Sequence, residues 1–93
     1  MGVSEKDVVL KNKYGLHARP ATLLAEVANG FPEVEISVTK EGQEVNGKSI
    51  FGLMMLAAEC GSTLKIRAQG DDSTAAAALA ALEKVIDSKF NEE

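Results

Sequence analysis

The sequence predicts an α+β fold in which three helices cover one face of a four-stranded antiparallel sheet. Apolar and polar residues alternate with period two along 34–39 and 64–69, as in strands with one buried and one solvated face. Three other segments repeat their apolar residues at helical spacing. Because the strands have a solvated face, all three helices should pack on the opposite face, giving an open-faced sandwich in the order βαββαβα.

The strands are predicted from alternation and turn residues. A first strand is expected over 7–11 and two more over 34–39 and 64–69. The segment 40–43, with a glycine at its third position, is typical of a tight turn, so 43–46 should return as a short antiparallel strand.

The helices are predicted over 18–29, 50–59 and 73–89. Gly30 is placed to end the first helix and Gly61 lies just beyond the second. The third helix is rich in alanine, and Asp71, Asp72 and Ser73 are candidates for its N-cap and negatively charged first turn.

Composition predicts one globular domain over residues 1–93. The chain has 45% hydrophobic and 26% charged residues, as ordered domains do. Its formal charge of −4 argues against nucleic acid as the main partner, because phosphate backbones favour a basic surface.

Cysteine usage and hydropathy predict the cytoplasm, with no metal and no cofactor. Cys60 is the only cysteine, so it can form neither an internal disulfide nor a zinc site, and we expect it to be buried as a small hydrophobic residue. The N-terminal residues lack the apolar core of a signal peptide, and no apolar stretch is long enough for membrane insertion.

The segment 13–21 carries the only histidine and predicts an anion site. Pro20 fits the first turn of a helix, which places His17 at or next to the N-cap. The backbone N–H groups of Ala18 and Arg19 then lie beside the imidazole at the positive end of the helix dipole. The Arg19 guanidinium adds a cation that matches phosphate oxygens. A lone histidine at a helix start is also consistent with a plain cap or surface residue.

Two motifs resemble one known family. Residues 15–21, Gly-Leu-His-Ala-Arg-Pro-Ala, are similar to the active-site motif of the HPr/NPr family of phosphocarriers in the bacterial phosphoenolpyruvate-dependent phosphotransferase system. Residues 47–54, Gly-Lys-Ser-Ile-Phe-Gly-Leu-Met, resemble the regulatory serine region of that family. The separation of the motifs and the order of the elements match along essentially the whole chain.

The resemblance implies a phosphocarrier rather than an enzyme. His17 would accept a phosphoryl group on Nδ1 from enzyme I and pass it to a sugar-specific enzyme IIA, while Arg19 steadies the phosphoryl oxygens. Ser49 matches the position that a dedicated kinase phosphorylates, and it also falls at the predicted N-cap of the second helix. HPr kinase/phosphorylase and a transcriptional regulator are therefore further implied partners of a monomeric protein.

Helix two carries more apolar side chains than its length needs for the core. Leu53 and Leu56 fit the core. The resemblance implies that the others dock partner proteins, together with one residue of the first helix; these candidates are Thr22, Ile50, Phe51 and Met54. Tyr14 stands three residues before His17, where many relatives carry a small polar residue, and its side chain could shield the imidazole or offer a hydroxyl.

Two alternatives remain open. The Lys-Tyr-Gly approach to the histidine is not unlike the NPr carriers of the nitrogen-related branch, whereas Lys48-Ser49-Ile50 favours HPr proper. The second alternative is a mainly regulatory binding protein whose phosphorylation alters its choice of partner. Members of that kind lack the active histidine, so the presence of His17 disfavours it.

Overall fold

The computed structural model of the protein describes residues 2–91. The elements are β1 (Gly2–Val9), α1 (Ala18–Asn29), β2 (Glu35–Lys40), β3 (Gln43–Asn46), α2 (Ile50–Met55), β4 (Thr63–Gly70) and α3 (Asp72–Asp87), followed by a short turn at Lys89–Asn91. The predicted fold class and element order are confirmed.

The four strands form one antiparallel sheet in the order β1-β4-β2-β3. β4 lies between β1 and β2, and β2 and β3 form a hairpin. Glu41 and Gly42 close this hairpin with positive φ angles of 49° and 85°, the backbone of a two-residue turn that matches the twist of the strands.

The core lies between one face of the sheet and the three helices. The alternating strand residues predicted to be buried are buried, including Ile36, Val38 and Ile66. The largest fully buried aliphatic side chains come from strands, helices and two loops: Leu10, Leu24, Val34, Val38, Leu53, Leu64, Ile66, Leu82 and Ile86. Burying side chains of this size contributes roughly 1.5–3 kcal/mol each.

The first strand is longer and earlier than predicted. It runs from Gly2 to Val9 and pairs along its whole length with β4, from Gly2 opposite Gly70 to Val9 opposite Thr63. The polar run from Ser4 to Asp7 shows no apolar alternation, so the sequence pattern does not indicate a strand there. Backbone pairing with β4 sets the length of this strand instead.

The second helix is shorter than predicted, ending at Met55 instead of Glu59. Leu56 is its C-cap and Ala57 adopts φ +50°, which ends the helical path. The chain then turns outward, so Cys60 lies in an exposed loop. The expectation that Cys60 is a buried hydrophobic residue is therefore wrong, and its cause is the early end of α2.

The remaining boundaries lie close to those predicted. α1 and β3 have the predicted limits, whereas α3 ends two residues early at Asp87. After α3 the backbone adopts positive φ at Lys89, Phe90 and Asn91, which turns the Phe90 side chain into the core. The N-cap of α3 is Asp71, one of the predicted candidates, and its carboxylate accepts a hydrogen bond from the N–H of Thr74.

Candidate functional site

His17 is the N-cap of α1, as the sequence predicted. Its backbone is extended, with φ −80° and ψ −175°, and its carbonyl oxygen accepts the N–H of Ala21 at 3.0 Å. The imidazole is half-buried and makes no capping hydrogen bond to the helix. The N–H groups of Ala18 and Arg19 have no acceptor within the helix, since first-turn amides lack one by geometry.

Pro20 explains why the first turn of α1 is left uncapped. In this chain the N-cap side chains of α2 and α3 accept a hydrogen bond from the third residue after the cap, Gly52 in one case and Thr74 in the other. In α1 that third residue is Pro20, which has no N–H to donate. The usual capping bond therefore cannot form at His17.

The loop before His17 is fixed against the loop that follows α2. The N–H of Leu16 donates to the carbonyl of Ala58 at 2.9 Å. Gly15 has φ +69°, and a Cβ there would overlap the Ala58 carbonyl oxygen and lie 2.8 Å from Glu59 Cα. Only glycine satisfies both the left-handed backbone and this close approach.

Asn12 also shapes this loop and was not identified from the sequence. Its side chain is fully buried, and its Nδ2 donates to the carbonyl of Gly15 at 2.7 Å. The N–H of Gly15 donates back to the Asn12 carbonyl at 3.2 Å. An asparagine placed between a strand end and a glycine is a weak sequence signal for this side-chain-to-backbone turn.

Arg19 provides the positive charge at the helix start. It is exposed, and it takes no part in the described ion pairs between Lys6 and Glu83, Lys11 and Asp87, and Arg67 and Glu5. The first turn of α1 contains no acidic side chain. A guanidinium and the N-terminal end of a helix dipole are both groups that attract anions.

Tyr14 contacts the imidazole directly. The Tyr14 and His17 rings are nearly perpendicular, at 85°, with 6.2 Å between their centroids. The Tyr14 side chain is 70% exposed, and Lys13 Nζ lies 5.3 Å from the centroid of its ring. Of the two roles open to Tyr14 from the sequence, this contact favours the one in which the ring flanks His17.

Ser49 is the N-cap of α2, at the position predicted. Its Oγ accepts the N–H of Gly52 at 3.0 Å, and its own N–H donates to the Asn46 carbonyl at 3.1 Å. The neighbouring Lys48 ammonium donates to the Phe31 carbonyl at 2.8 Å, which joins this cap to the end of α1. The structural role of Ser49 as a cap holds whatever regulatory role it has.

The candidate docking residues of α2 are exposed. Phe51 is 82% exposed, Ile50 and Met54 about half that, whereas Leu53 and Leu56 are buried as predicted. Met55, 67% exposed, belongs to the same apolar surface and was not identified from the sequence.

Thr22 lies on the neighbouring helix α1, half-buried, with its hydroxyl donating to the Ala18 carbonyl at 2.7 Å.

Residues 2–91 contain neither a cluster of metal ligands nor a helix suited to cross a membrane. In that part of the chain no three His, Cys, Asp or Glu side chains converge as metal ligands would. None of the helices described there has the length and apolar character of a membrane span.

Comparison with known proteins gives one consistent family. A family model described as "PTS HPr component phosphorylation site" matches residues 4–88. Phosphocarrier protein HPr of Treponema pallidum (strain Nichols) is 42% identical over 88 residues, which are 95% of this chain and 97% of the relative. Phosphocarrier protein NPr of Shewanella violacea is 40% identical over 88 residues, 95% of this chain and 93% of the relative.

Solved structures agree with the sequence relatives. The crystal structure of HPr-C-His from Thermoanaerobacter tengcongensis has a TM-score of 0.89 and 44% identity, covering 97% of this chain and 98% of its own. The crystal structure of an HPr dimer from the same organism has a TM-score of 0.75 and 45% identity, covering 91% of this chain and 94% of its own.

Proposed function

Because the chain belongs to the HPr family of phosphotransferase-system phosphocarriers, we propose that His17 accepts a phosphoryl group from enzyme I and passes it to a sugar-specific enzyme IIA. The observation that carries this proposal is the uncapped start of α1, where His17 is followed by Ala18 and the exposed Arg19, whose backbone N–H groups have no acceptors in the helix. A phosphoryl group on His17 would complete the hydrogen bonding of this helix end.

The transfer itself requires only an exchange of P–N bonds. The lone pair of neutral His17 Nδ1 attacks the phosphorus atom of a phosphorylated donor histidine, and the donor P–N bond breaks with its electron pair remaining on the donor nitrogen. Bonds of the same type form and break, so the reaction is close to balanced in free energy and can run onward to the next acceptor.

The Ala18 and Arg19 N–H groups and the Arg19 guanidinium act on the phosphoryl oxygens. Hydrogen bonds from such fixed donors stabilise negative charge without reorganisation during the transfer. Two amides and one exposed cation hold the group in place yet leave it accessible to the next protein, as a carrier requires.

The central test is incubation with phosphoenolpyruvate and enzyme I, followed by intact mass analysis. The wild-type protein should gain one acid-labile phosphoryl group, and His17→Ala should gain none. A matched control is Ser49→Ala, which should be labelled like the wild type. The proposal fails if the wild-type protein is never labelled or if His17→Ala acquires the same group.

We further propose that Ser49 is a regulatory phosphorylation site, acted on by HPr kinase/phosphorylase and read by a transcriptional regulator. A phosphate on Oγ would lie at the N-terminus of α2, where the helix dipole favours negative charge, so it should alter docking rather than unfold the domain. Incubation with ATP and the kinase should label the wild type and not Ser49→Ala; equal labelling of both would disprove the assignment.

For partner docking we propose the apolar surface of α2 together with the neighbouring Thr22. Its exposed side chains are Ile50, Phe51 and Met54, and flexible or aromatic groups of this kind suit several short-lived partners. Phe51→Ala should weaken binding to an isolated IIA domain without lowering the melting temperature. Unchanged affinity would remove Phe51 from the interface.

A second candidate function is the NPr carrier of the nitrogen-related branch. It is favoured by the Shewanella violacea NPr, whose 40% identity is nearly that of the Treponema pallidum HPr. The same labelling experiment with the nitrogen-branch enzyme I separates the two, since the cognate enzyme I should phosphorylate the chain faster.

We also propose that the carrier acts as a monomer in the cytoplasm. The monomeric state needs a test because a crystal structure of an HPr dimer is known from Thermoanaerobacter tengcongensis. Sedimentation velocity over a wide range of protein concentration should give one species of monomer mass, and a concentration-dependent second species would contradict it. Fractionation of the native host tests the compartment.

A further inference from the structure

Tyr14 contacts His17 although it adds little to the core. Its side chain is 70% exposed, and its ring meets the imidazole at 85° with 6.2 Å between centroids. Aromatic quadrupoles favour this edge-to-face arrangement. Lys13 Nζ lies 5.3 Å from the Tyr14 centroid, within the range of a cation–π contact that holds the tyrosine ring near the loop.

The first turn of α1 gives the imidazole no capping hydrogen bond, and Pro20 offers no N–H with which to make one. The contact with Tyr14 acts on the imidazole ring itself.

We propose that Tyr14 is a positioning residue for phosphoryl transfer, which it assists by restricting rotation of the His17 ring. This inference rests on the proposed function of His17. A ring held in one orientation directs its nucleophilic nitrogen at the donor phosphorus for a larger fraction of the time, and the rate rises with that fraction. The edge-to-face contact requires the aromatic ring of Tyr14 and not its hydroxyl.

The same orientation serves both directions of transfer. When His17 accepts, its ring nitrogen bonds to phosphorus and the donor P–N bond breaks; when it donates, its own P–N bond breaks and the electron pair returns to its nitrogen. Tyr14 should therefore change acceptance and donation by the same factor. We expect the rates of acceptance and donation to change by a factor of about 2 to 10, the size of effect that an edge-to-face aromatic pair can supply.

The experiment compares Tyr14→Leu with Tyr14→Phe, using two phosphoryl donors. One donor is phosphorylated enzyme I. The other is phosphoramidate, a small molecule whose protonated nitrogen leaves as ammonia when the imidazole attacks phosphorus. Tyr14 is exposed and adds little to the core, so both variants should fold, and thermal unfolding checks this.

The result expected is that Tyr14→Leu is phosphorylated about 2- to 10-fold more slowly by both donors, whereas Tyr14→Phe keeps the wild-type rate. Slowing with enzyme I alone would overturn the proposal, because it would make Tyr14 a docking residue. Equal slowing in Tyr14→Phe would also overturn it, because it would assign the effect to the hydroxyl.

Nuclear magnetic resonance supplies an independent readout. The ring protons of His17 should show cross-relaxation with Tyr14 and should shift in Tyr14→Leu but much less in Tyr14→Phe. Absence of both effects would contradict the contact itself. If enzyme I fails to label the wild type, the proposed function fails, yet the phosphoramidate rates still decide whether Tyr14 orients the ring.

Discussion

The helix starts at His17 and Ser49 differ in how their first-turn amides are bonded. The Ser49 hydroxyl accepts the N–H of Gly52 at 3.0 Å, so the start of α2 is closed by its own side chain. At α1 the corresponding residue is Pro20, which has no N–H, and His17 makes no capping bond. A capped helix start stabilises the fold, whereas an uncapped one keeps its amides available for a ligand.

The two helix starts also differ in the contacts that hold them in place. The loop into α1 is fixed by its own contacts, through the Leu16 N–H on Ala58 and the buried Asn12 on Gly15. The loop into α2 is joined to the rest of the fold by Lys48 and Asn29, whose side chains bond backbone carbonyls. The α1 start thus receives its rigidity from the preceding loop rather than from a cap.

The largest expected effect is on the loop that supports the uncapped start. Gly15→Ala should destabilise the protein by about 3 kcal/mol, since it adds a left-handed strain of roughly 1–2 kcal/mol to overlap with the Ala58 carbonyl. Gly42→Ala is the matched control, because Gly42 also has positive φ but its Cβ would meet open space, so only the strain should appear. Denaturant unfolding measures both; equal losses would mean that the contact with Ala58 is unimportant.

The next effect is on the charge beside the α1 amides. Arg19→Gln should slow phosphoryl acceptance about 10- to 100-fold, the value of a charge-assisted hydrogen bond, and leave stability unchanged because Arg19 is exposed and outside the ion pairs. Arg67→Gln is the control, since Arg67 pairs with Glu5 on the sheet. A stopped-flow rate unaffected by Arg19→Gln would show that the amides alone hold the phosphoryl group.

A smaller effect tests the caps themselves. Ser49→Ala should cost about 1 kcal/mol, whereas His17→Ser should change stability by less than roughly 0.5 kcal/mol while Pro20 is present. In a Pro20→Ala background, His17→Ser should instead stabilise by about 1 kcal/mol, because residue 20 then has an N–H to donate. A gain from His17→Ser with Pro20 in place would refute the role given to the proline.

The smallest effect concerns the third helix start, at Asp71. Hydrogen bonds from the Ser73 hydroxyl and from Thr74 hold the pKa of Asp71 below its ordinary value of 3.8. Because the folded pKa is the lower one, this contribution is complete above the unfolded pKa and is lost as pH falls through the folded value. Thermal unfolding should show the wild type losing stability relative to Asp71→Asn below about pH 4; parallel curves would contradict the assignment.

The sequence predicts most of the fold and part of the site, for identifiable reasons. The limits of α1 follow from Pro20 at its start and Gly30 after its end, which are local signals. The end of α2 has no such local signal: it comes at the left-handed Ala57, and the next residue, Ala58, accepts a hydrogen bond from Leu16, which is far away in the chain. The same turn places Cys60 in an exposed loop, which is why the prediction that it is buried was wrong.

At the site, residue types were predictable but contacts were not. Local signals, Pro20 and the glycine-led turn, predicted that His17 stands at a helix start, whereas Ser49 and the phosphoryl-accepting role of His17 were inferred from the resemblance of residues 15–21 and 47–54 to a known family. The buried Asn12 and the ring contact of Tyr14 depend on how the loop folds back, which no spacing rule states. Met55 was missed because an apolar residue in a short helix does not by itself indicate which face it occupies.

The most direct test of the uncapped start is the amide spectrum of ¹⁵N-labelled protein before and after phosphorylation by enzyme I. The N–H signals of Ala18 and Arg19 should move strongly downfield as they donate to phosphoryl oxygens on His17, while that of Gly52, already bonded to Ser49, should stay in place. A phosphoryl group on another residue, or unmoved Ala18 and Arg19 amides with His17 phosphorylated, would contradict the account.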